Sequence, residues 1–188
     1  MNSRTFSQNT SAPRIQQLRA AMQRNNVDAC LIPSADPHLS EYLPGRWKGR
    51  EWLSGFTGSV ANLIITADFA GLWADSRYWS QAEAELADTE IVLMKTPTGN
   101  SLLHLDWLAA NLPAGKTVAV DGAVLGLATA RALEQALAKG GSNLRTDLDV
   151  LGEIWSERPG LPMAEVYQHQ ASHAPLSRAA KLEQLRQA

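Results

Sequence analysis

Cysteine is nearly missing from this chain of 188 residues, with Cys30 the single instance. That excludes an internal disulfide and a thiolate-built zinc site. Cys30 lies in the apolar run Ala29-Cys30-Leu31-Ile32, where it reads as a small buried hydrophobe. Excess charge of either sign is missing too. A net charge of −2 and a pI near 6.1 provide no general field for nucleic acid or anionic lipid. No apolar run is long enough to span a bilayer, because Asn62, Asp68 and Asp75 interrupt the longest candidate. The opening residues, MNSRTFSQNTSAPR, lack the apolar core of a secretory leader. A cytoplasmic protein is the expectation.

What is present describes a folded domain. Hydrophobic residues make up 45% and charged residues 19%, the balance of a globular protein. A chain of this size buries roughly 70% of its unfolded surface and needs no covalent staple. Residues 1–12 are polar and read as a disordered N-terminus. From Pro13 to about Asn25, Ile15, Leu18 and Met22 recur at helical spacing. Val27 to Pro33 has the length of a buried strand, broken by Pro33-Ser34-Ala35-Asp36-Pro37-His38.

The densest pattern runs from Trp52 to Trp79. The end of a helix from about Trp47 to Ser54 is closed by Gly55. Two strands follow, Ala61 to Thr66 and Ala70 to Ala74, too closely connected to be anything but antiparallel. A helix capped by Asp75 or Ser76 then runs to about Ala87, with Glu83 and Glu85 solvated. Further along, Glu90 to Lys95 and Lys116 to Asp121 read as strands, the latter as the cleanest central one. Leu102 to Leu112 and Leu127 to Lys139 read as helices, Leu144 to Thr146 as an edge strand, and Leu148 to Trp155 as a short helix. Alternation of this kind predicts an α/β fold with a mixed sheet of five or six strands and helices on both faces. Residues 13–155 form the domain on this reading. Residues 156–176, with Pro159, Pro162 and Pro175, form a linker, and residues 177–188 begin a second, truncated domain.

Several residue groups invite a chemical reading. Ser54-Gly55-Phe56-Thr57-Gly58-Ser59 looks like a phosphate loop, but a helix precedes it, a strand follows it, and no Gly-Lys-Ser/Thr follows Gly58. A phosphate loop needs the reverse order, with helix amides facing the anion, so a cap and tight turn fit better. His169 and His173 have the spacing of a helical metal pair, yet Gln170 stands where a zinc peptidase needs glutamate and no third ligand is near. Glu83 and Glu85, two apart on a helix, do not face each other. Asp121 suits a turn as well as a site, and His104 reads as structural or surface. His38 lies just beyond a strand end. Arg77 sits where a strand gives way to a helix, and its fork suits a carboxylate or carbonyl. An ion pair with Asp75 or Asp36 that merely orders the turn explains Arg77 equally well.

Three stretches together resemble a known family. They are Ile32-Pro33-Ser34-Ala35-Asp36-Pro37-His38 with Ser40-Glu41-Tyr42, Trp52 to Ser59, and Trp73-Ala74-Asp75-Ser76-Arg77-Tyr78-Trp79. In this order they resemble the creatinase/prolidase-type N-terminal domain, closest to that of the three-domain Xaa-Pro aminopeptidases. Leu93-Met94-Lys95, Val118 to Asp121 and Ile154 to Pro159 agree, so the likeness covers about residues 13 to 160. Val60-Ala61 departs from the Ala-Gly common in the family. The resemblance implies a parent enzyme that removes an N-terminal residue preceding proline. It implies two divalent ions, often manganese, held in a catalytic domain whose ligands are absent here. It implies a non-catalytic role for this domain in closing the active-site mouth, limiting peptide length and making homodimer contacts. Arg77 matches a substrate-contacting arginine of relatives, and Tyr78 and His38 are further substrate-binding candidates. A stand-alone binding or dimerisation module without peptidase activity is the alternative. A nucleotide-using enzyme rests on the glycine loop alone.

Overall fold

In a computed structural model, residues 10–99, 102–169 and 172–188 are described. Helix α1 (Ser11–Arg24) buries Ile15, Leu18, Ala21 and Met22 along one stripe. It starts at Ser11, two residues before the expected start at Pro13, so Ser11 and Ala12 leave the stretch of residues 1–12 expected to be disordered, and residues 1–9 lie outside those described. Asn25 caps the helix, and Asn26 takes a left-handed φ of 55°, a conformation asparagine tolerates. Strand β1 (Ala29–Pro33) follows, then a 3-10 turn at Gly45–Trp47, α2 (Gly49–Ser54), β2 (Asn62–Thr66) and β3 (Ala70–Asp75). The rest of the domain comprises α3 (Trp79–Glu85), β4 (Val92–Thr96), α4 (Leu103–Asn111), β5 (Thr117–Ala119), α5 (Leu127–Gly140) and β6 (Asn143–Arg145).

The six strands form one mixed sheet in the order β4-β3-β2-β1-β5-β6. The pairs β1–β2 and β2–β3 are antiparallel, and β1–β5, β3–β4 and β5–β6 are parallel. Alternate side chains of the central strands enter two different cores, as the period of a strand requires. Cys30, Ile32, Leu63 and Ile65 pack with α1, α2 and α3, while Ala29, Leu31, Ile64 and Val118 pack with α4 and α5. Helices therefore cover both faces. Burial pushes the Cys30 thiol up to about 12, which leaves it an inert hydrophobe.

Three local expectations are corrected. The stretch from Lys116 to Asp121 yields only the three-residue β5, one place from the sheet edge, because β1 registers with it only at Val118 and Ala119 and its other neighbour, β6, is itself three residues long. Leu148 to Trp155 forms turns instead of a helix. Asp149 there accepts from the Gly152 amide at 2.8 Å and pairs with Arg158, which fixes the chain in a bend. Helix α3 opens at Trp79 and not at Ser76, for a reason that belongs to the site. Beyond Arg158 the described residues are largely exposed until α6 (Arg178–Gln187), capped by the Ser177 side chain, which accepts from the Ala180 amide.

Candidate functional site

Strands β1, β3, β4, β5 and β6 all end at the same side of the sheet, and β2 begins there. The loops collected at that end carry every residue singled out as a substrate contact. Asp75, the last residue of β3, is held by pairing with Thr96 of β4, and its side chain is only 7% exposed. Its Oδ1 accepts from the Arg77 amide and from Arg77 Nε, both at 3.0 Å, and its Oδ2 accepts from Arg77 Nη2 at 2.7 Å. This closes a turn over residues 75–77 and consumes the carboxylate that a helix cap at Asp75 would need, while the Ser76 hydroxyl is engaged with Thr98 Oγ1 at 2.6 Å. The Tyr78 amide completes the turn by bonding to the Asp75 carbonyl.

The Arg77 side chain remains 57% exposed, with its guanidinium 5.3 Å from the Tyr78 ring. Hydrogen bonds from Arg77 hold the Asp75 carboxyl below its usual 3.8, and the same contact raises Arg77. Of the two partners weighed for Arg77, the structure selects Asp75. Asp36 is occupied elsewhere.

Asp36 is buried beyond the end of β1, and its Oδ1 accepts from the amides of His38 and Ser40, both at 2.9 Å. The bond from Ser40 leads the effects that hold the Asp36 carboxyl low. This turn puts Leu39 at a φ of 53°, a region a leucine enters only when its surroundings impose it. His38, Leu39 and Tyr42 project outward from it. Among the described residues no hydrogen bond, ion pair or ring contact joins His38 to Arg77 or Tyr78. Tyr78 is half-buried, edge-on to Phe56, and its hydroxyl is 2.6 Å from Ser59 Oγ. The structure thus brings Arg77 and Tyr78 together and leaves His38 on a separate loop.

The glycine loop is built from beneath by a residue that sequence reasoning passed over. Arg50, 4% exposed, donates from Nε to Ser34 Oγ at 2.8 Å and from Nη1 to the Phe56 carbonyl at 2.6 Å, while Nη2 bonds to the Gly58 carbonyl. Burial lowers its pKa to about 10. The signal was present: Arg50 shares a helical stripe with Leu53 and Ser54, the buried side of α2. Gly55, at φ 76°, supplies the left-handed C-terminal residue of that helix. Gly58 packs so tightly that a Cβ would lie 2.3 Å from the Phe56 ring. Glu85, expected in solvent, accepts instead from the Thr57 amide at 2.8 Å and from its hydroxyl at 2.7 Å. The Gly55 amide bonds to the Glu51 carbonyl at 2.8 Å, which makes the first glycine the helix cap that the order of the elements implied.

The remaining candidates reduce to structure. The Asp121 carboxylate accepts from the Ala123 amide and caps a 3-10 turn. His104 is buried on α4. His169 and His173 are exposed, and Gln170 and Ala171 between them lie outside the described residues. Among the described residues no group of three or more His, Cys, Asp or Glu side chains is placed to hold a metal. None of the helices among them is long and apolar enough to cross a membrane.

The fold has known counterparts. The Creatinase/Prolidase N-terminal domain family matches residues 14–158. The chain is 37% identical over 166 residues to a probable Xaa-Pro aminopeptidase P of Talaromyces marneffei, covering 87% of this chain and 25% of that protein. It is 37% identical over 175 residues to aminopeptidase P1 of Arabidopsis thaliana, covering 92% and 27%. It superposes with a TM-score of 0.83 and 29% identity on X-prolyl aminopeptidase from Caenorhabditis elegans, described as a cytosolic enzyme with a di-nuclear active site, over 95% of this chain and 31% of that one. A separate N-terminal domain of the peptidase PepQ from Mycobacterium tuberculosis shares the fold at a TM-score of 0.55. The chain spans about a quarter of the length of the curated relatives it matches. It belongs to the Creatinase/Prolidase N-terminal domain family.

Proposed function

We propose that this chain is the non-catalytic, substrate-shaping N-terminal domain of a metal-dependent Xaa-Pro aminopeptidase, an enzyme that removes a residue preceding proline. The observation that carries the reading is the concentration of contact-forming residues at one end of the sheet. Among the large hydrophobics exposed between residues 10 and 158, Leu39, Tyr42, Val60 and Leu102 on loops and Leu103 and Leu127 at the starts of α4 and α5 all lie at the end of the sheet that carries Arg77. Val92, at the start of β4, is the exposed large hydrophobic at the opposite end among the described residues. A face of this kind favours docking against other protein and against peptide.

The family's di-nuclear chemistry does not fit this chain, which has no set of carboxylates and histidines to hold a metal among its described residues. Two divalent ions, manganese on this reading, would be held elsewhere in the parent enzyme, and no step is routed through them here. The domain's partners would be proline-containing peptides, the second and catalytic domains, and a second copy of the enzyme in the cytoplasm. Arg77 would contact the peptide, with Tyr78 backing its guanidinium and His38 at the margin.

Purified chain of residues 1–188 is expected to show no Mn²⁺-stimulated cleavage of an Arg-Pro-Pro peptide, while the full-length enzyme cleaves it. Robust turnover by the purified chain would sink the proposal.

A further inference from the structure

We infer that Asp75 is a positioning residue that presents Arg77 as the donor of a near-neutral pair, and so selects a peptide carbonyl oxygen over a free carboxylate. The inference rests on the reading of Arg77 as a substrate contact. An exposed arginine ordinarily loses considerable side-chain freedom on engaging a ligand. Here that ordering is already in place. Asp75 is buried and registered against Thr96 in the sheet, and it holds the backbone amide, Nε and Nη2 of Arg77 at once. The turn itself is tied to the end of β4, because Ser76 Oγ lies 2.6 Å from Thr98 Oγ1. It is tied to β3 as well, through the bond from Trp79 Nε1 to the Ala74 carbonyl at 3.0 Å. The Tyr78 ring backs the guanidinium. Arg77 Nη1 takes no part in the Asp75 pair, and the side chain is more than half exposed.

Charge then decides what such a donor prefers. The carboxylate of Asp75 offsets the positive charge of Arg77, and a second carboxylate approaching the fork would meet Asp75 at close range. A neutral carbonyl oxygen accepts from the outward N–H groups without that repulsion. The substrate feature read here is therefore backbone carbonyl, found along any peptide chain, and not the C-terminal charge of a short one. Arg77 senses chain, not terminus.

The test uses the full-length enzyme carrying this domain, with the tripeptide Arg-Pro-Pro as free acid and as C-terminal amide. Wild-type enzyme is expected to give similar KM for both. Asp75→Asn restores uncompensated positive charge, and it should lower KM for the free acid relative to the amide by about threefold to fivefold, the scale of an exposed charge pair. Arg77→Gln, whose side-chain amide can still donate to Asp75, should raise KM for acid and amide alike in enzyme whose circular dichroism matches the wild type. A loss confined to the free acid, or an acid-to-amide ratio unmoved by Asp75→Asn in folded enzyme, overturns the inference while leaving Arg77 a substrate contact. Unchanged KM for both peptides in Arg77→Gln instead removes the reading of Arg77 itself, and the inference with it.

Discussion

Arg50 shows how one side chain can hold a loop that the surrounding glycines only permit. Its guanidinium meets neutral oxygens, two carbonyls and one hydroxyl, and lies 5.0 Å from the Phe56 ring. Replacing it leaves the Phe56 and Gly58 carbonyls without these donors, while Ser34 Oγ still accepts from the Ala61 amide, and a buried acceptor left unpaired costs more than its hydrogen bond contributes. Arg50→Met should therefore destabilise the chain by about 3 kcal/mol, even though methionine suits the apolar stripe of α2. Urea unfolding followed by tryptophan fluorescence measures it, and a change below about 0.5 kcal/mol would show that water replaces the lost donors. Arg77 is the opposite case. Its partner Asp75 sits two residues away, so the pair was among the alternatives readable in the sequence. Arg50 has no charged partner to announce it, and its role follows from burial alone.

At the scale of elements, the chain around residues 155–159 is held by stacked side chains. Arg14 lies 4.5 Å from the Trp52 ring, and Trp52 stacks on Trp155 at 4.9 Å. Arg158 then lies 5.7 Å from Trp155 and 5.0 Å from Trp47. Hydrogen bonds reinforce the column, from Arg158 Nε to the Arg46 carbonyl at 2.9 Å and from Arg46 Nη1 to the Pro159 carbonyl at 3.1 Å. The column fastens residues 155–159 to α1 and α2. Trp155→Ala should cost about 3–4 kcal/mol, as expected for removing a buried aromatic. Leu182→Ala in α6, a helix with no buried residue, should cost under about 0.5 kcal/mol. Equal losses in the two variants, measured by denaturant unfolding, would mean that α6 packs on the domain. The short elements explain where sequence reading slipped. Periodicity located α1, β2, β3 and α5 closely, but Leu148 to Trp155 carries helical spacing that the Asp149–Arg158 pair overrides.

At the scale of the whole molecule, stability should depend on acid in a definite direction. Asp36, Asp75 and Asp147 accept hydrogen bonds that hold their carboxyls below the usual 3.8. Asp28 joins them, since bonds from Lys116 and the Thr117 amide outweigh the upward push of burial. Asp121 moves the other way, raised first by burial. A carboxyl depressed in the folded state binds fewer protons there than when unfolded. Its contribution is complete above the unfolded value and is lost as pH falls through the folded one. Four depressed groups against one raised group predict level stability from about pH 6 to pH 5 and a decline below about pH 4. Asp75→Asn should shallow that decline, and urea midpoints across the range measure both. A flat profile to pH 3 would show that these bonds survive in the unfolded chain.

Residue order alone determined the helical stripes, the antiparallel hairpin, the mixed α/β class, the absence of a thiolate site and the ordered motifs of the family. These depend on spacing along the chain, which sequence records directly. Tertiary structure decided which loops meet. It set β3 parallel to β4, brought Glu85 beneath Thr57 and buried Arg50 under the glycine turn. It gave Arg77 to Asp75 and Asp36 to the loop of His38, which separated two candidates the sequence had left side by side. Those outcomes depend on strand order and burial, and on which carboxylate is already occupied. None of these has a period in the sequence.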